Sequence, residues 1–168
     1  MRRFFVRIDS YLFAVLGVVG SILGTPSLYA GDSHPSAFDQ AMMFKVAPLV
    51  IDTQDGRVIP FNVELANSSA EHRRGLMFRE HLDENRGMLF DYHVPRYVSM
   101  WMKNTLIPLD MLFVGADGRV VHIAPNTTPK STEIITAPVQ ARYVLEIVAG
   151  SAKRLNIGIG DRLHLVNP

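Results

Sequence analysis

Apolar side chains fall mostly at alternate positions along one early stretch of the chain, at Ile59, Phe61, Val63 and Leu65 with Asn62, Glu64 and Ala66 between them. That period of two marks a strand with one buried face. The β-rich run Pro48-Leu49-Val50-Ile51 precedes it, and Asp55-Gly56 lies between the two. Asp-Gly favours the left-handed backbone of a tight hairpin turn, so the two runs predict an antiparallel hairpin. The pattern then changes. Ser68-Ser69-Ala70-Glu71 has the spacing of a capping box, with Ser68 as N-cap and Glu71 three residues on. It predicts a short helix to about Phe78, with Ala70, Leu76 and Met77 on its inner side and Glu71, His72, Arg73 and Arg74 mostly outside. Gly75 within that helix lowers its propensity and predicts a close backbone neighbour.

Strand signals recur at Met88-Leu89-Phe90, Tyr97–Met102, Leu109–Val114, Arg119–Ala124, Tyr143–Val148 and Arg162–Val166. Asp117-Gly118 predicts a second hairpin turn, and the Pro- and Thr-rich stretch 125–140 reads as loop. Ser151 is placed to cap a short helical turn that Gly158 ends. The expected fold is mainly β: a small β-sandwich or compact barrel of about seven strands with one or two short helices.

The first thirty residues follow different rules. Arg2, Arg3 and Arg7 make a cationic start, an apolar run extends from Tyr11 to Leu23, and Ser27-Leu28-Tyr29-Ala30 follows. A charged start, an apolar stretch and a small residue at a cleavage point describe an export signal, cut after Ala30. A retained anchor is the alternative, although the run is shorter than the roughly 20 residues a spanning helix needs. Arg2-Arg3-x-Phe5-Val6-Arg7 also resembles a twin-arginine signal, with Met1 where Ser or Thr is usual. The chain therefore divides into a signal peptide at 1–30, a linker at 31–43 and a single mainly-β domain at 44–168, with a periplasmic or extracellular destination. The membrane is met only through the signal segment.

Composition narrows the chemistry. Apolar residues make up 48 % and charged residues 20 %, which suits a chain that buries a core. The net charge of +1 becomes −1 once the three arginines and one aspartate of residues 1–30 are removed. Neither value gives the field that draws a chain to nucleic acid. Cysteine is absent, which excludes disulfides, thiol catalysis and cysteine metal sites. The histidines form no zinc-binding spacing, and there is no phosphate-cradling glycine loop. No cofactor is implied, and the sequence does not set the oligomeric state.

Six blocks stand in order along the domain. They are Val63-Glu64-Leu65-Ala66, Arg74-Gly75-Leu76-Met77-Phe78-Arg79, Gly87-Met88-Leu89-Phe90, the long run from Met100-Trp101-Met102-Lys103-Asn104-Thr105 to Pro108-Leu109-Asp110, Val144-Leu145-Glu146, and Gly160-Asp161. Together they resemble the exported family catalogued as domain of unknown function 192. The resemblance covers about residues 45–166. It implies a small, mainly β fold, often behind a signal peptide, and implies no activity.

The residues themselves point to several kinds of site. In an extended Met100–Lys103, Met100 and Met102 share one face and Trp101 and Lys103 the other. If that strand pairs with the one after Pro108, then Lys103, Asn104, Thr105 and Asp110 gather at one sheet end. An indole beside amide, ammonium and carboxylate suits a polar small ligand or a cell-envelope glycan, the ring giving an apolar face and the polar groups orientation. In the competing reading Asn104 and Asp110 serve loop backbone groups and Trp101 is core. Arg73, Arg74 and Arg79 suit a carboxylate or phosphate. Arg73 and His72 alternatively form a solvated face, and Arg79 caps the helix or pairs with Asp110 or Glu146. Glu146 falls on the strand face opposite Leu145 and Ile147, with Val144 and Val148, where apolar surroundings raise a carboxyl pKa. The candidate ligand-binding residues are thus Arg79, Trp101, Lys103, Asn104, Asp110 and Glu146.

Non-catalytic binding is the expected function. One alternative is an envelope hydrolase that uses Asp110 and Glu146 as an acid/base pair. Another is Cu(I) held by thioethers, since Met77, Met88, Met100, Met102 and Met111 cluster in sequence. Methionine as core filling is the plainer account of that cluster.

Overall fold

The computed structural model describes residues 43–166. The expected signal peptide, and all but Met43 of the expected linker, lie outside the described residues. Among the described residues nine strands run in chain order: β1 (Lys45–Asp52), β2 (Val58–Ala66), β3 (Arg86–Arg96), β4 (Ser99–Met100), β5 (Leu109–Val114), β6 (Val120–Ala124), β7 (Ile135–Thr136), β8 (Ala141–Val148) and β9 (Arg162–Leu165). Among the described residues two short helices join them, α1 (Ser69–Arg74) and α2 (Ser151–Arg154). The fold is mainly β, as the spacing of turn and strand signals predicts.

Seven strands make one curled sheet in the order β6-β5-β8-β3-β2-β1-β9, and β4 and β7 make a separate two-stranded sheet. Neighbours are antiparallel except β2 and β3, which run parallel and are linked through α1. A parallel pair needs such a crossover, so α1 is laid across one face of the sheet. At one end the sheet curls until its two edges touch. Val120 N donates to the Asp161 carbonyl at 2.8 Å and Leu163 N to the Gly118 carbonyl at 2.7 Å. Gly118 has φ +82°, and a Cβ there would lie 2.6 Å from the Leu163 carbonyl oxygen, so this closure requires glycine.

Two apolar clusters occupy the two faces. The first takes residues from all seven strands of the large sheet, among them Leu49, Phe61, Leu89, Leu112, Val120, Leu145 and Leu163. The second lies on the other face of β3, β5 and β8, where Met88, Phe90, Met111, Phe113 and Val144 are covered by Leu76, Val98, Met100 and Met102. Strand β5 is buried at every position because it lies between both clusters.

Local signals set most elements. The β1–β2 hairpin pairs Asp52 with Val58 around the Asp-Gly turn. Ser68 caps α1 and Glu71 completes the capping box. Three expectations need correction. Helix α1 stops at Arg74, because Gly75 takes φ +45° and turns the chain, and the group that a Cβ there would meet first, at 3.3 Å, is the Phe90 ring and not a backbone. The run Tyr97–Met102 forms only the two-residue β4, which pairs with β7 inside the stretch expected to be loop. Its alternation comes from burial of Met100 and Met102, while Met102 N donates to Ser131 O at 3.0 Å. Gly150, not Ser151, is the N-cap of α2, and the C-cap of that helix is Leu155, ahead of Gly158. Among the described residues no helix is long and apolar enough to cross a membrane.

Candidate functional site

Strands β5 and β8 pair with Asp110 opposite Ile147 and Met111 opposite Glu146. The single-residue offset puts Asp110 and Glu146 on opposite faces of the sheet, since successive side chains alternate. The acid/base pair considered for a hydrolase is therefore not formed. Asp110 is 0 % exposed, and its carboxylate accepts three backbone hydrogen bonds. Oδ1 takes Asn126 N at 2.8 Å and Gly150 N at 3.0 Å, and Oδ2 takes Ala152 N at 2.9 Å. Asp110 thus ties two connections to β5, as the loop-serving reading of it anticipates.

Glu146 lies on the other face, next to Met88 of β3 and Met111 of β5 in register. Both thioether side chains are fully buried, and Glu146 itself is 4 % exposed. Burial alone pushes its carboxyl up to about 8, so it holds its proton at neutral pH. It lines a cavity of about 350 Å³. Helix α1 and the turn after it form one wall of that cavity, β3 a second, and β4 with the residues that follow a third.

The walls are aromatic and basic. Tyr92 donates its hydroxyl to Met100 Sδ at 3.1 Å. Burial, and after it the nearby Glu146 carboxyl, push the Tyr92 hydroxyl up to about 12 against the opposing pull of Arg96. The Arg96 guanidinium lies 4.7 Å from the Tyr92 ring centre and the His72 ring 4.6 Å from it. His72 Nε2 meets the Ala66 carbonyl at 2.9 Å, which pins that ring to the end of β2. Arg74 stacks over Phe78 at 5.0 Å. Its Nη1 is buried and meets no partner among the described residues.

The six candidates from sequence separate. Glu146 and Trp101 both line the cavity, Trp101 at its rim with 45 % exposure. Lys103 and Asn104 stand on the adjoining turn, outside the lining. Lys103 Nζ lies 5.5 Å from the Trp101 ring centre, and Asn104 takes φ +59° with its carbonyl accepting from Phe78 N at 2.8 Å. Because β4 pairs with β7 and not with β5, the expected gathering of Lys103 and Asn104 with Asp110 does not occur. Arg79 pairs with Glu64 at 2.8 Å, and with neither Asp110 nor Glu146.

Sequence reasoning missed Tyr92 and Arg96. The alternation Met88, Phe90, Tyr92 carries Tyr92 onto the cavity face, but His93 at φ +66° breaks the period before Arg96. For the thioethers, Met102 and Met111 are wholly buried, and Met102 Sδ accepts from Thr127 Oγ1 at 3.2 Å. Met77 and Met100 reach the cavity. Among the described residues no three His, Asp or Glu side chains converge as metal ligands. A second cavity of about 280 Å³ sits where the Asp117-Gly118 turn meets β9 and contains none of the six candidates.

Comparison with known proteins places the chain without giving it a reaction. A crystal structure of a Sinorhizobium meliloti 1021 protein proposed to be a transcription regulator matches with a TM-score of 0.73 and 41 % identity, over 74 % of this chain and 96 % of that one. A protein of unknown function from Novosphingobium aromaticivorans DSM 12444 matches with a TM-score of 0.70 and 39 % identity, over 78 % of this chain and 89 % of that one. No curated protein matches the chain. The profile of the DUF192 family, described as Uncharacterized ACR, matches residues 50–165, and the chain belongs to that family.

Proposed function

We propose that this domain is exported and binds a small polar ligand, free or at the end of an envelope glycan, without chemical conversion. The observation that carries the reading is Glu146, a buried carboxyl that lines a cavity with burial as the one influence on its titration. A polar group desolvated without a partner costs free energy, and a site that gains from supplying that partner is a binding site. The aromatic and basic walls support it, since such pockets combine apolar faces with a few orienting polar groups. Binding without conversion follows from the arrangement of carboxyls. Asp110 is consumed by three backbone N–H groups on the opposite face, which leaves Glu146 without a second carboxyl beside it. Export rests on the N-terminal pattern of cationic start, apolar run and Ala30.

The test is a thermal-shift screen of the full-length protein against saccharides, small carboxylates and phosphates. A binder raises the melting temperature, and Glu146→Leu abolishes the rise. If no compound shifts the transition at about 10 mM, the binding reading fails. N-terminal sequencing of the protein recovered from the envelope fraction tests export, with Gly31 as the expected first residue.

A further inference from the structure

We infer that the ligand of this cavity is a small acidic sugar, a hydroxylated ring carrying a carboxylate or a phosphate. The inference rests on the binding reading above and adds the chemical class. Charge is the first argument. Three guanidiniums, those of Arg73, Arg74 and Arg96, line the cavity, and Glu146 is its one carboxyl. Arg57, Arg79, Arg119, Arg142 and Arg154 each meet a carboxylate of this chain, whereas the three cavity arginines meet none among the described residues. The charge at the cavity is thus uncompensated, and a planar guanidinium is shaped to take the paired oxygens of a carboxylate or phosphate.

Depth is the second argument. Arg74 lines the cavity and its Nη1 is buried without an acceptor, so its guanidinium keeps a desolvated N–H unspent at the cavity wall. Glu146 is the complement. Its carboxyl keeps a proton at neutral pH, and in that form it donates one hydrogen bond and accepts others, which suits a hydroxyl. The cavity therefore asks for an anion toward Arg74 and Arg96 and a neutral hydroxyl toward Glu146. Trp101 at the rim and the Tyr92 ring supply apolar faces for a ring's C–H surface. A volume of about 350 Å³ is near the small end of ligand pockets, enough for one ring and too little for a chain.

Isothermal titration of the full-length protein at about pH 6, where Glu146 keeps its proton, distinguishes the sources and the failures. The probes are glucuronate, glucose 6-phosphate, glucose and inorganic phosphate. Glucuronate or glucose 6-phosphate is expected to bind at least about tenfold more tightly than glucose and than phosphate, and whichever binds identifies the anionic group. Arg96→Gln, an exposed position where folding is not at stake, and Arg74→Gln are each expected to weaken the acidic sugar about 10- to 100-fold and leave glucose unchanged. Glucose binding as tightly as both acidic sugars overturns the inference and keeps the binding reading. Inorganic phosphate matching glucose 6-phosphate, with glucuronate silent, also overturns it, because the sugar then contributes nothing. Silence of all four probes overturns the inference. Silence here together with a blank thermal-shift screen overturns the binding reading as well.

Discussion

Asp110 and Glu146 lie one register step apart on paired strands, at 0 % and 4 % exposure, yet they meet opposite surroundings. On the Asp110 face, the chain between β6 and β7 and the start of α2 come down with backbone N–H groups pointing at the carboxylate. On the Glu146 face the cross-strand neighbours are Met88 and Met111, which offer no proton. Burying an ion is costly unless it is paired or hydrogen-bonded. Asp110 meets that condition with three donors. Glu146 meets it by keeping its proton. The pair shows that depth alone does not make a carboxyl functional. One is consumed by the fold, and the other leaves its polar capacity facing a cavity.

The largest test removes the consumed one. Asp110→Ala orphans three N–H groups, of which Ala152 N is buried, and is expected to cost about 4–6 kcal/mol in urea denaturation at neutral pH. A loss under about 1 kcal/mol would mean the loops hold themselves and would break the contrast.

The second test uses pH. The Glu146 carboxyl rises from 4.5 in the unfolded chain to about 8 in the fold. The folded state therefore holds an extra proton between those values. Its contribution to stability is complete below the unfolded value and is lost as pH rises through the folded one. The wild type is expected to lose roughly 3–4 kcal/mol relative to Glu146→Gln between pH 4.5 and 8, because the variant has nothing to ionise. His72, Arg73, Arg74, Tyr92 and Arg96 line the same cavity in both proteins, so the difference between their curves isolates position 146, and the Tyr92 hydroxyl, pushed up to about 12, keeps its proton throughout that window. Parallel stability curves for the two proteins would remove the basis for a protonated Glu146.

Much of this was legible in the residues, for reasons that are local. The Asp-Gly turn, the Ser68–Glu71 capping box and the alternation in β2 act over a few positions, and each forms as the spacing predicts. Alternation also assigned Glu146 to its face, with Val144. The losses are at contacts that only the assembled sheet decides. Arg79 meets Glu64 because β2 and the turn after α1 come together, and no spacing announces a partner fifteen positions back. The two-residue pairing of β4 with β7 joins a run that reads as a longer strand to one that reads as loop. The cavity combines α1, β3, β4 and β8, so Arg73 and Arg74 could be noticed but not located, and Arg96 was not noticed.

A third test concerns the wall beside Glu146. Ser68→Ala removes the side-chain acceptor for Glu71 N while the Glu71 carboxylate still takes Asn67 N and Ser68 N. The expected loss is about 1 kcal/mol by thermal denaturation, with a further weakening of any cavity ligand because α1 carries Arg73 and Arg74. A stability loss with ligand affinity intact would separate the helix from the site.

The smallest effect belongs to the carboxylate between the two extremes. Glu64 meets Arg79 at 2.8 Å with side-chain exposures of 19 % and 37 %, so it is neither consumed by the backbone nor left without a partner. Water still reaches both groups, which screens their attraction and makes removal cheap. Arg79→Met keeps the aliphatic stem and deletes the charge. It is expected to cost less than about 1 kcal/mol, and the cost should shrink further as salt is raised toward about 1 M. Asp110 should show no such salt dependence, because its partners are backbone dipoles in a region closed to ions. Denaturation of both variants at low and high salt therefore grades two carboxylates on one sheet, Asp110 and Glu64, by a single variable, the access of water to the group. If Arg79→Met cost as much as Asp110→Ala, burial would not be what orders them.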